Sequence, residues 1–276
     1  MKQEGSYIEK NISKKQQLID DYTTEAKSKN LIWAFTEMDI TEAQKKLRAH
    51  KEKGENISLT AFLIACYARS AEKFKYPINT LRIKKKKYVT FDEVDVMTNI
   101  EREMDGLKKP VNYTVRNAHK KTLREIHDEL KEARSAKKVE ITTGNKGGKK
   151  LVKMIPKLPR FIRKMIIHKT FTDPFLKKKL LGTIGLTSVG MFGKDINQLG
   201  WMIHITPHTI SVGVGSIEKK YEMTKEGTIK EREFLAVTVA MDHAIIDGGP
   251  ATRFFRDFYL MLRDDCLEAD WCFKSL

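Results

Sequence analysis

A histidine and an aspartate stand four residues apart in the stretch AMDHAIIDGGPATRFF, residues 240–255. His243 follows a run of apolar, branched residues that is typical of a buried strand. Asp247 precedes two glycines and Pro250, and a proline suits the first turn of a helix. Because an imidazole titrates near neutrality, it can accept a proton and return it. The pattern therefore puts an acid–base group where a strand becomes a helix.

Two other interpretations of this pair stay open on the residues alone. His243 and Asp247 could ligate a metal from one helix face, but the strand pattern before them and the glycines after them disfavour a helix there. A histidine at a strand end can also be purely structural, held by backbone hydrogen bonds. The remaining histidines, including His204 and His208, are expected to be structural or solvated.

The elements that must position the pair alternate between helical and strand patterns. Three stretches predict helices: MDITEAQKKLRAHKEKG with Thr41 and Gln44 at capping-box spacing, SLTAFLIACYARSAEKFKYP with Ser58 as cap, and NAHKKTLREIHDELKEAR. Five predict strands: KKYVTFDEVDVMTNIE, GTIGLTSVGMFG, WMIHIT, TISVGVGSIE and FLAVTVAMDHAI. We expect an α/β (α+β) fold in which helices flank a mixed sheet.

Composition sets further limits on the class of protein. With 276 residues and 41% hydrophobic residues, the chain can bury a substantial core as one domain. Its three cysteines, Cys66, Cys266 and Cys272, are too few and too scattered for a disulfide framework, and no cysteine–histidine cluster has zinc spacing. The N-terminal residues do not form a signal peptide, and no apolar stretch approaches the roughly 20 residues of a membrane span. We expect a cytoplasmic protein without a metal.

The net charge of +16 is concentrated in one region. Residues 144–180 contain twelve lysines and arginines and a single acid, Asp173. Because the basicity is local, and no helix-turn-helix or RNA-binding sheet pattern accompanies it, a nucleic-acid partner is not expected.

The stretch DHAIIDG resembles the H-x-x-x-D-G motif of the chloramphenicol acetyltransferase-like superfamily. Its surroundings are similar to the catalytic domain of the dihydrolipoyl acyltransferases of 2-oxo acid dehydrogenase complexes. Four further stretches match that family in order: ISLTAFLIACYARSAEKFKYPINT, EVDVMTNIEREMDGLKKPVNYTVRNAHKKTLREIHDEL, GTIGLTSVGMFG and TPHTISVGVGSIEKK. The resemblance covers about residues 30–265 and implies a chloramphenicol acetyltransferase-like fold. It also implies transfer of an acyl group between coenzyme A, or acyl-CoA, and a thiol or other small acceptor.

The resemblance assigns roles to four residues. His243 corresponds to the general base that takes the proton of a thiol, and Thr187 to the family's serine, whose hydroxyl stabilises the tetrahedral oxyanion. Asp247 corresponds to an aspartate that organises the site through an ion pair, while Gly248 lets the backbone turn. The resemblance further implies a homotrimer in which His243 of one subunit faces Thr187 of the next. Residues that bind coenzyme A are not identified.

Two departures from the family pattern limit these expectations. Ala244 stands where an arginine usually follows the histidine, so Asp247 must find another partner. The sequence also shows no lipoyl-lysine motif and no Ala/Pro-rich linker, so we expect a stand-alone acyltransferase without lipoyl attachment on this chain. The predicted organisation is an N-terminal extension at 1–29 and a catalytic domain at 30–276, with a basic helical insertion at about 144–180.

The basic insertion has three possible uses. KLPRFIRKMIIHKTF predicts a helix with one apolar face, and DPFLKKKLLG predicts a second with Asp173 as cap, Pro174 in the first turn and Gly182 beyond its end. The apolar face, Leu158, Phe161, Ile162, Met165 and Ile166, is expected to pack on the body of the protein. Alternatively, the cations attract the phosphates of coenzyme A, or the helix binds an anionic membrane. A catalytically silent scaffold and a peripheral membrane protein therefore remain alternative functions.

Overall fold

A six-stranded mixed sheet forms the centre of the protein. The computed structural model describes residues 6–83, 87–104, 107–135, 154–189, 197–224 and 226–263. The sheet has the order β1-β8-β7-β6-β4-β5, and a hairpin of β2 and β3 lies apart from it. The strands are β1 (Leu31–Asp39), β2 (Thr80–Ile83), β3 (Lys87–Thr90), β4 (Val96–Met104), β5 (Leu107–Val115), β6 (Ile184–Ser188), β7 (Ile210–Met223) and β8 (Ile229–Asp242).

Both strand directions occur in the sheet. β6 runs parallel to β4 and to β7, whereas the pairs β1–β8, β7–β8 and β4–β5 are antiparallel. The helices are α1 (Lys14–Ala26), α2 (Thr41–Glu52), α3 (Leu59–Lys73), α4 (Lys75–Ile78), α5 (Leu123–Ser135), α6 (Arg160–Thr172), α7 (Pro174–Leu181) and α8 (Gly248–Arg263). The predicted mixed sheet with flanking helices is confirmed.

Helices α3, α5 and α8 pack with one face of the sheet in the main core. Alternate residues of the central strands supply the sheet side of this core: Ile184, Leu186, Ile210, Val212, Val214, Val237, Val239 and Met241. On the helix side, Tyr67 of α3 makes edge-to-face contacts with Phe254 and Phe258 of α8, at 5.8 and 5.5 Å between ring centroids. Burial of this apolar face holds the strands in one register, because a one-residue slip would move the core residues to the other face.

Two helix caps agree with the prediction from the sequence, and one does not. Ser58 Oγ accepts the amide of Ala61 and caps α3, as predicted. Asp173 accepts the amides of Phe175 and Leu176 and caps α7, also as predicted. The predicted capping box at Thr41 is wrong. Helix α2 begins at Thr41 itself, whose hydroxyl bonds to Asp39 and accepts the amide of Glu233.

The stretch WMIHIT, predicted as a strand, belongs to neither sheet. Side-chain donors form hydrogen bonds to backbone carbonyl groups in and just after this segment. The His204 carbonyl accepts the indole N–H of Trp33 at 3.3 Å, and the His208 carbonyl accepts the ammonium of Lys29 at 2.8 Å. Because these carbonyls have side-chain partners, the segment does not need a neighbouring strand to satisfy them.

The N-terminal helix α1 packs on helix α6 of the basic insertion. Asp21 of α1 is fully buried and accepts the guanidinium Nε of Arg163 at 2.6 Å and that of Arg160 at 3.1 Å. Tyr22 makes an edge-to-face contact with Phe171, with 5.2 Å between ring centroids. Burial alone would raise the pKa of Asp21, but the hydrogen bonds and charges of the two arginines hold it below its ordinary value.

The predicted apolar face of α6 does not pack on the body of the protein. Phe161 is 75% exposed and Met165 is 65% exposed, while Arg163 is 2% exposed. Helix α6 is rotated because Asp21 offers a carboxylate that a buried arginine needs as a partner. The expectation of an inward apolar face was therefore wrong, and residues 144–153 of the insertion lie outside the described residues.

No helix in the described part of the chain is long and apolar enough to cross a membrane.

The buried Asp21–Arg163 pair predicts that replacing Arg163 lowers stability much more than replacing Arg160. Arg163→Met should lower the free energy of unfolding by about 3–5 kcal/mol, because it removes the main partner of a buried carboxylate. Arg160→Met is the matched control, since the Arg160 side chain is 62% exposed, and it should cost about 1 kcal/mol or less. Urea unfolding of both variants at neutral pH measures the difference. Equal losses would contradict the assignment of Arg163 as the anchor.

Candidate active site

His243 lies at the predicted junction between a strand and a helix. Strand β8 ends at Asp242, and the backbone amide of His243 donates to the carbonyl of Asn30 at 2.9 Å. The next residues form a turn in which the amides of Ile245 and Ile246 donate to the Asp242 carbonyl. The Asp247 carbonyl then accepts the amide of Ala251 and starts α8. The turn thus fixes the backbone of His243 on both sides.

The imidazole of His243 is oriented by a backbone carbonyl. Its Nδ1 atom lies 3.2 Å from the carbonyl oxygen of Ile246. Because a carbonyl can only accept a hydrogen bond, this contact assigns the proton of the neutral ring to Nδ1. Nε2 then carries the lone pair. The side chain is 52% exposed, so the ring is accessible from solvent.

Asp247 lies beside the histidine it follows. Its Oδ1 atom is 3.7 Å from His243 Nδ1, and its side chain is 84% exposed. Within the residues the structure describes, the group beside Asp247 is therefore the His243 ring, and the contact is an ion pair only when that ring is protonated. An added Cβ at Gly248 would meet no atom within 4 Å, and its φ is not positive. Packing within a single chain therefore does not require glycine at position 248.

Thr187 lies far from His243 in the same chain. Strand β6 pairs Thr187 with Gly213 of β7, and β7 pairs Gly213 with Thr238 of β8. His243 is five residues beyond Thr238, so it lies about 16 Å further along the strand direction and about 10 Å away across two strands. The two candidate catalytic residues of one chain therefore do not meet.

Two histidines cover the face of the sheet that carries Thr187. A Cβ at Gly213 would lie 2.7 Å from His204 Nδ1, and a Cβ at Gly185 would lie 2.8 Å from His208 Nδ1. His204 Nε2 contacts Ser211 Oγ at 3.0 Å, while His208 Nε2 contacts the carbonyl of Leu181 at 2.9 Å. Glycines on β6 and β7 thus make room for imidazole rings.

Burial disfavours the charged form of both rings. It lowers the pKa of His208 to about 3 and lowers the pKa of His204 as well. The expectation that these histidines are structural or solvated is refined by their contacts. His208 is a buried structural residue, and His204 packs beside the strand position of Thr187.

A lysine that the sequence analysis did not single out holds the residue before His243. Lys29 Nζ lies 3.7 Å from Asp242 Oδ2, and the amide of Ala244 donates to Asp242 Oδ1 at 3.2 Å. Burial lowers the pKa of Lys29 to about 8, although the charge and hydrogen bond of Asp242 oppose this shift. No spacing pattern could have revealed this contact, because the two residues lie near opposite ends of the chain.

The family model for the 2-oxoacid dehydrogenases acyltransferase (catalytic domain) matches residues 179–267, a range that contains Thr187 and His243. This segment, which is less than half of the chain, is similar to the catalytic domain of that acyltransferase family. The resemblance seen in the sequence is confirmed.

A curated relative supports the same assignment over a short range. The mitochondrial lipoamide acyltransferase component of the branched-chain alpha-keto acid dehydrogenase complex of Arabidopsis thaliana is 33% identical over 73 residues, 26% of this chain. The match covers 14% of the length of that relative.

Solved acyltransferase structures share the fold at low sequence identity. A probable dihydrolipoamide acetyltransferase of Listeria monocytogenes superposes with a TM-score of 0.64 at 19% identity, covering 93% of this chain and 94% of that one. The Azotobacter vinelandii dihydrolipoamide acetyltransferase superposes with a TM-score of 0.66 at 15% sequence identity, covering 95% of this chain and 93% of that one. A chloramphenicol acetyltransferase superposes with a TM-score of 0.51 at 13% sequence identity, covering 92% of this chain and 96% of that one. The predicted chloramphenicol acetyltransferase-like fold is confirmed.

Histidine, cysteine and carboxylate side chains do not gather in groups of three or more that could hold a metal within the described ranges.

The close approach of His208 to the sheet predicts different effects for two glycine substitutions. Gly185→Ala should lower the free energy of unfolding by about 1–3 kcal/mol, because its Cβ would collide with the His208 ring and Ser211 Oγ. Gly248→Ala, at the start of α8, meets no atom and should change stability by less than about 1 kcal/mol. Urea unfolding of the two variants measures both effects. A Gly185→Ala chain as stable as Gly248→Ala would disprove the packing described for His208.

Proposed function

We propose that this chain is an acyltransferase that moves an acyl group between coenzyme A and a thiol or other small acceptor. The observation that carries the proposal is the orientation of His243, whose Nδ1 faces the Ile246 carbonyl while Nε2 remains available. The family match over residues 179–267 supports it. In the Azotobacter vinelandii enzyme the roles of a serine, a histidine and an asparagine in catalysis have been investigated. The asparagine there follows the histidine by four residues, as Asp247 follows His243.

Acyl transfer follows from these groups in two steps. His243 Nε2 takes the proton of the acceptor thiol, and the sulfur attacks the thioester carbonyl to form a tetrahedral intermediate. When the intermediate collapses, the bond to the leaving sulfur breaks and the imidazolium returns the proton to that sulfur. Asp247, 3.7 Å from Nδ1, stabilises the imidazolium between these steps.

The oxyanion of the intermediate requires a hydrogen-bond donor. We assign this role to the hydroxyl of Thr187, which preserves the donor that the family's serine supplies. Since Thr187 and His243 of one chain lie on separate parts of the sheet, we propose that a site combines His243 of one subunit with Thr187 of its neighbour. A homotrimer with head-to-tail interfaces has this geometry.

Exposed apolar residues support an interface on the face that carries Thr187. Trp33 and Phe35 of β1 pair with Ala240 and Thr238, so they project from that same face. Both are exposed, as are Trp201, Ile203 and Ile205 of the nearby segment. A cluster of exposed aromatic and branched residues is typical of a protein–protein contact.

A silent scaffold is the second candidate function. Ala244 in place of the family's arginine favours it, since Asp247 lacks a strong cationic partner within the described residues. Coenzyme A binding by the wild-type chain without turnover of any acyl-CoA would select the scaffold. The cytoplasmic location stays a prediction.

His243→Ala should lower acyl transfer by about 10²–10⁴-fold, because it removes the general base, while coenzyme A affinity stays nearly unchanged. A thiol-release assay against a panel of acyl-CoAs measures turnover, and calorimetry measures affinity. His50→Ala is the control, since this histidine of α2 contacts Glu55 at 2.7 Å. A His243→Ala enzyme that keeps more than about a tenth of wild-type turnover would contradict the assignment of His243 as the general base.

The shared site predicts complementation between two inactive variants. Thr187→Val should lower turnover with less effect on binding, because the hydroxyl acts on the developing oxyanion. Refolding an equal mixture of His243→Ala and Thr187→Val chains should restore both native residues at about a quarter of the interfaces if assembly is random. Activity should then rise above that of either parent. Hybrid oligomers that stay at the parental average, or a monomer by light scattering, would refute the model.

A further inference from the structure

A cavity of about 350 Å³ lies beside the His243 turn. Asp242, Asn30 and Ile245 line it on the side of the turn, and Lys177 of α7 and Arg82 of β2 line other parts of its wall. Asn30 also accepts the backbone amide of His243. A molecule held in this cavity therefore contacts the same residues that position the imidazole. We refer to this space as the Lys177 cavity.

Lys177 is buried without a carboxylate partner. The residue is 4% exposed, yet no hydrogen bond or salt bridge among the described residues holds its ammonium. Its described contact is with the ring of Phe171, 5.6 Å from Nζ to the centroid. Since a buried ammonium normally has hydrogen-bond acceptors around it, this lysine lacks a ligand that the cavity has room to supply.

The acids that line the cavity already have partners. Asp242 contacts Lys29 and the amide of Ala244, and Glu25 contacts His168 Nδ1 at 2.8 Å. Lys177 and Arg82 therefore have no salt bridge to either acid, although the charge of Asp242 acts on Lys177 from a distance. Burial and the neighbouring charge of Lys29 together lower the pKa of Lys177 to about 7, although the charge of Asp242 opposes this shift.

We propose that Lys177, with Lys29 and Arg82, binds an oxyanion of the carboxylate or phosphate type that belongs to a substrate of the His243 site. The proposal rests on the acyltransferase function for the identity of that substrate. Three cations around one cavity match the several oxygens of such a group, and each contact is a charge-assisted hydrogen bond. The helix that supplies Lys177 is part of the basic insertion, so this insertion contributes directly to substrate selection.

Two parts of a substrate carry this chemistry. One is the phosphates of coenzyme A, and the other is a carboxylate on the acyl chain or the acceptor. Both place a negative group in the Lys177 cavity while the thioester reaches toward His243.

Sulfate is the probe for the site itself, since its charge is constant across the pH range of interest. We expect calorimetry to detect sulfate binding to the wild-type chain, and Lys177→Met to weaken it by about tenfold or more. Lys179→Met is the matched control, since it removes the same charge from an exposed position of the same helix. It should leave binding unchanged. Equal sulfate affinity in wild type and Lys177→Met, or no binding to either, would overturn the proposal.

Folding of the variant is checked independently. Lys177→Met should melt at or above the wild-type temperature, because methionine fills a similar volume without a buried charge. Loss of sulfate binding in a chain of undiminished melting temperature is then a property of the site.

Sulfate affinity should fall as the pH rises from about 6 to 9, because Lys177 and then Lys29 lose their protons. The other charged groups that line the cavity are Arg82, Glu25 and Asp242. Binding should therefore take up protons near pH 7. Lys177→Met should lose the part of this dependence that is centred at pH 7, and an unchanged profile in that variant would contradict the assignment.

The source of the oxyanion follows from two comparisons. If it is a coenzyme A phosphate, Lys177→Met should weaken coenzyme A but not pantetheine. If it is a carboxylate, Lys177→Met should raise the KM of succinyl-CoA but not of butyryl-CoA. A variant that changes neither would show that the group does not belong to a substrate, and the proposal would fail. Sulfate binding needs no turnover, so an inactive chain that still binds sulfate through Lys177 would reject the acyltransferase function alone.

Discussion

The alternation of side chains along β6, β7 and β8 is the constraint on which the rest of the structure depends. One set of alternate residues, which includes Leu186, Val212 and Val239, packs in the helix-covered core. The other set carries Thr187, Ser211 and Gly213, and it can be polar or small because it does not have to fill that core. Once the apolar set is buried, every candidate catalytic position on these strands is fixed to the opposite face.

A second packing contact of the fold joins helix α1 to the basic insertion. Helix α6 carries many cations, and α1 supplies Asp20, Asp21 and Glu25 opposite Arg160, Arg163 and His168. These pairs neutralise part of the local charge and hold α6, on which α7 packs, against the N-terminal helix. The position of Lys177 near the His243 turn is thus a result of how the N-terminal helix docks.

The sequence predicted those features that depend on neighbouring residues. The caps at Ser58 and Asp173, the strand leading to His243 and the helix after Pro250 are all set by local hydrogen bonds or by a short apolar pattern. The face of α6 was mispredicted because its partner, Asp21, is 142 residues away from Arg163. Lys29 carried no signal of its own, and Lys177 was one of twelve cations in the basic insertion, since only the folded chain brings the two lysines near Asp242. The roles of His243, Thr187 and Asp247 remain predictions that rest on family resemblance and geometry.

The pairing of β1 with β8 ties the two ends of the described chain together. Leu31 pairs with Asp242, and the amide of His243 bonds to Asn30, so the turn gains its backbone partner only from the opposite end of the sequence. Closing so long a loop is entropically costly and slow, and it cannot begin on the ribosome until β8 has emerged. The backbone of the His243 turn therefore forms only after Asn30 and β8 have both been synthesised and paired.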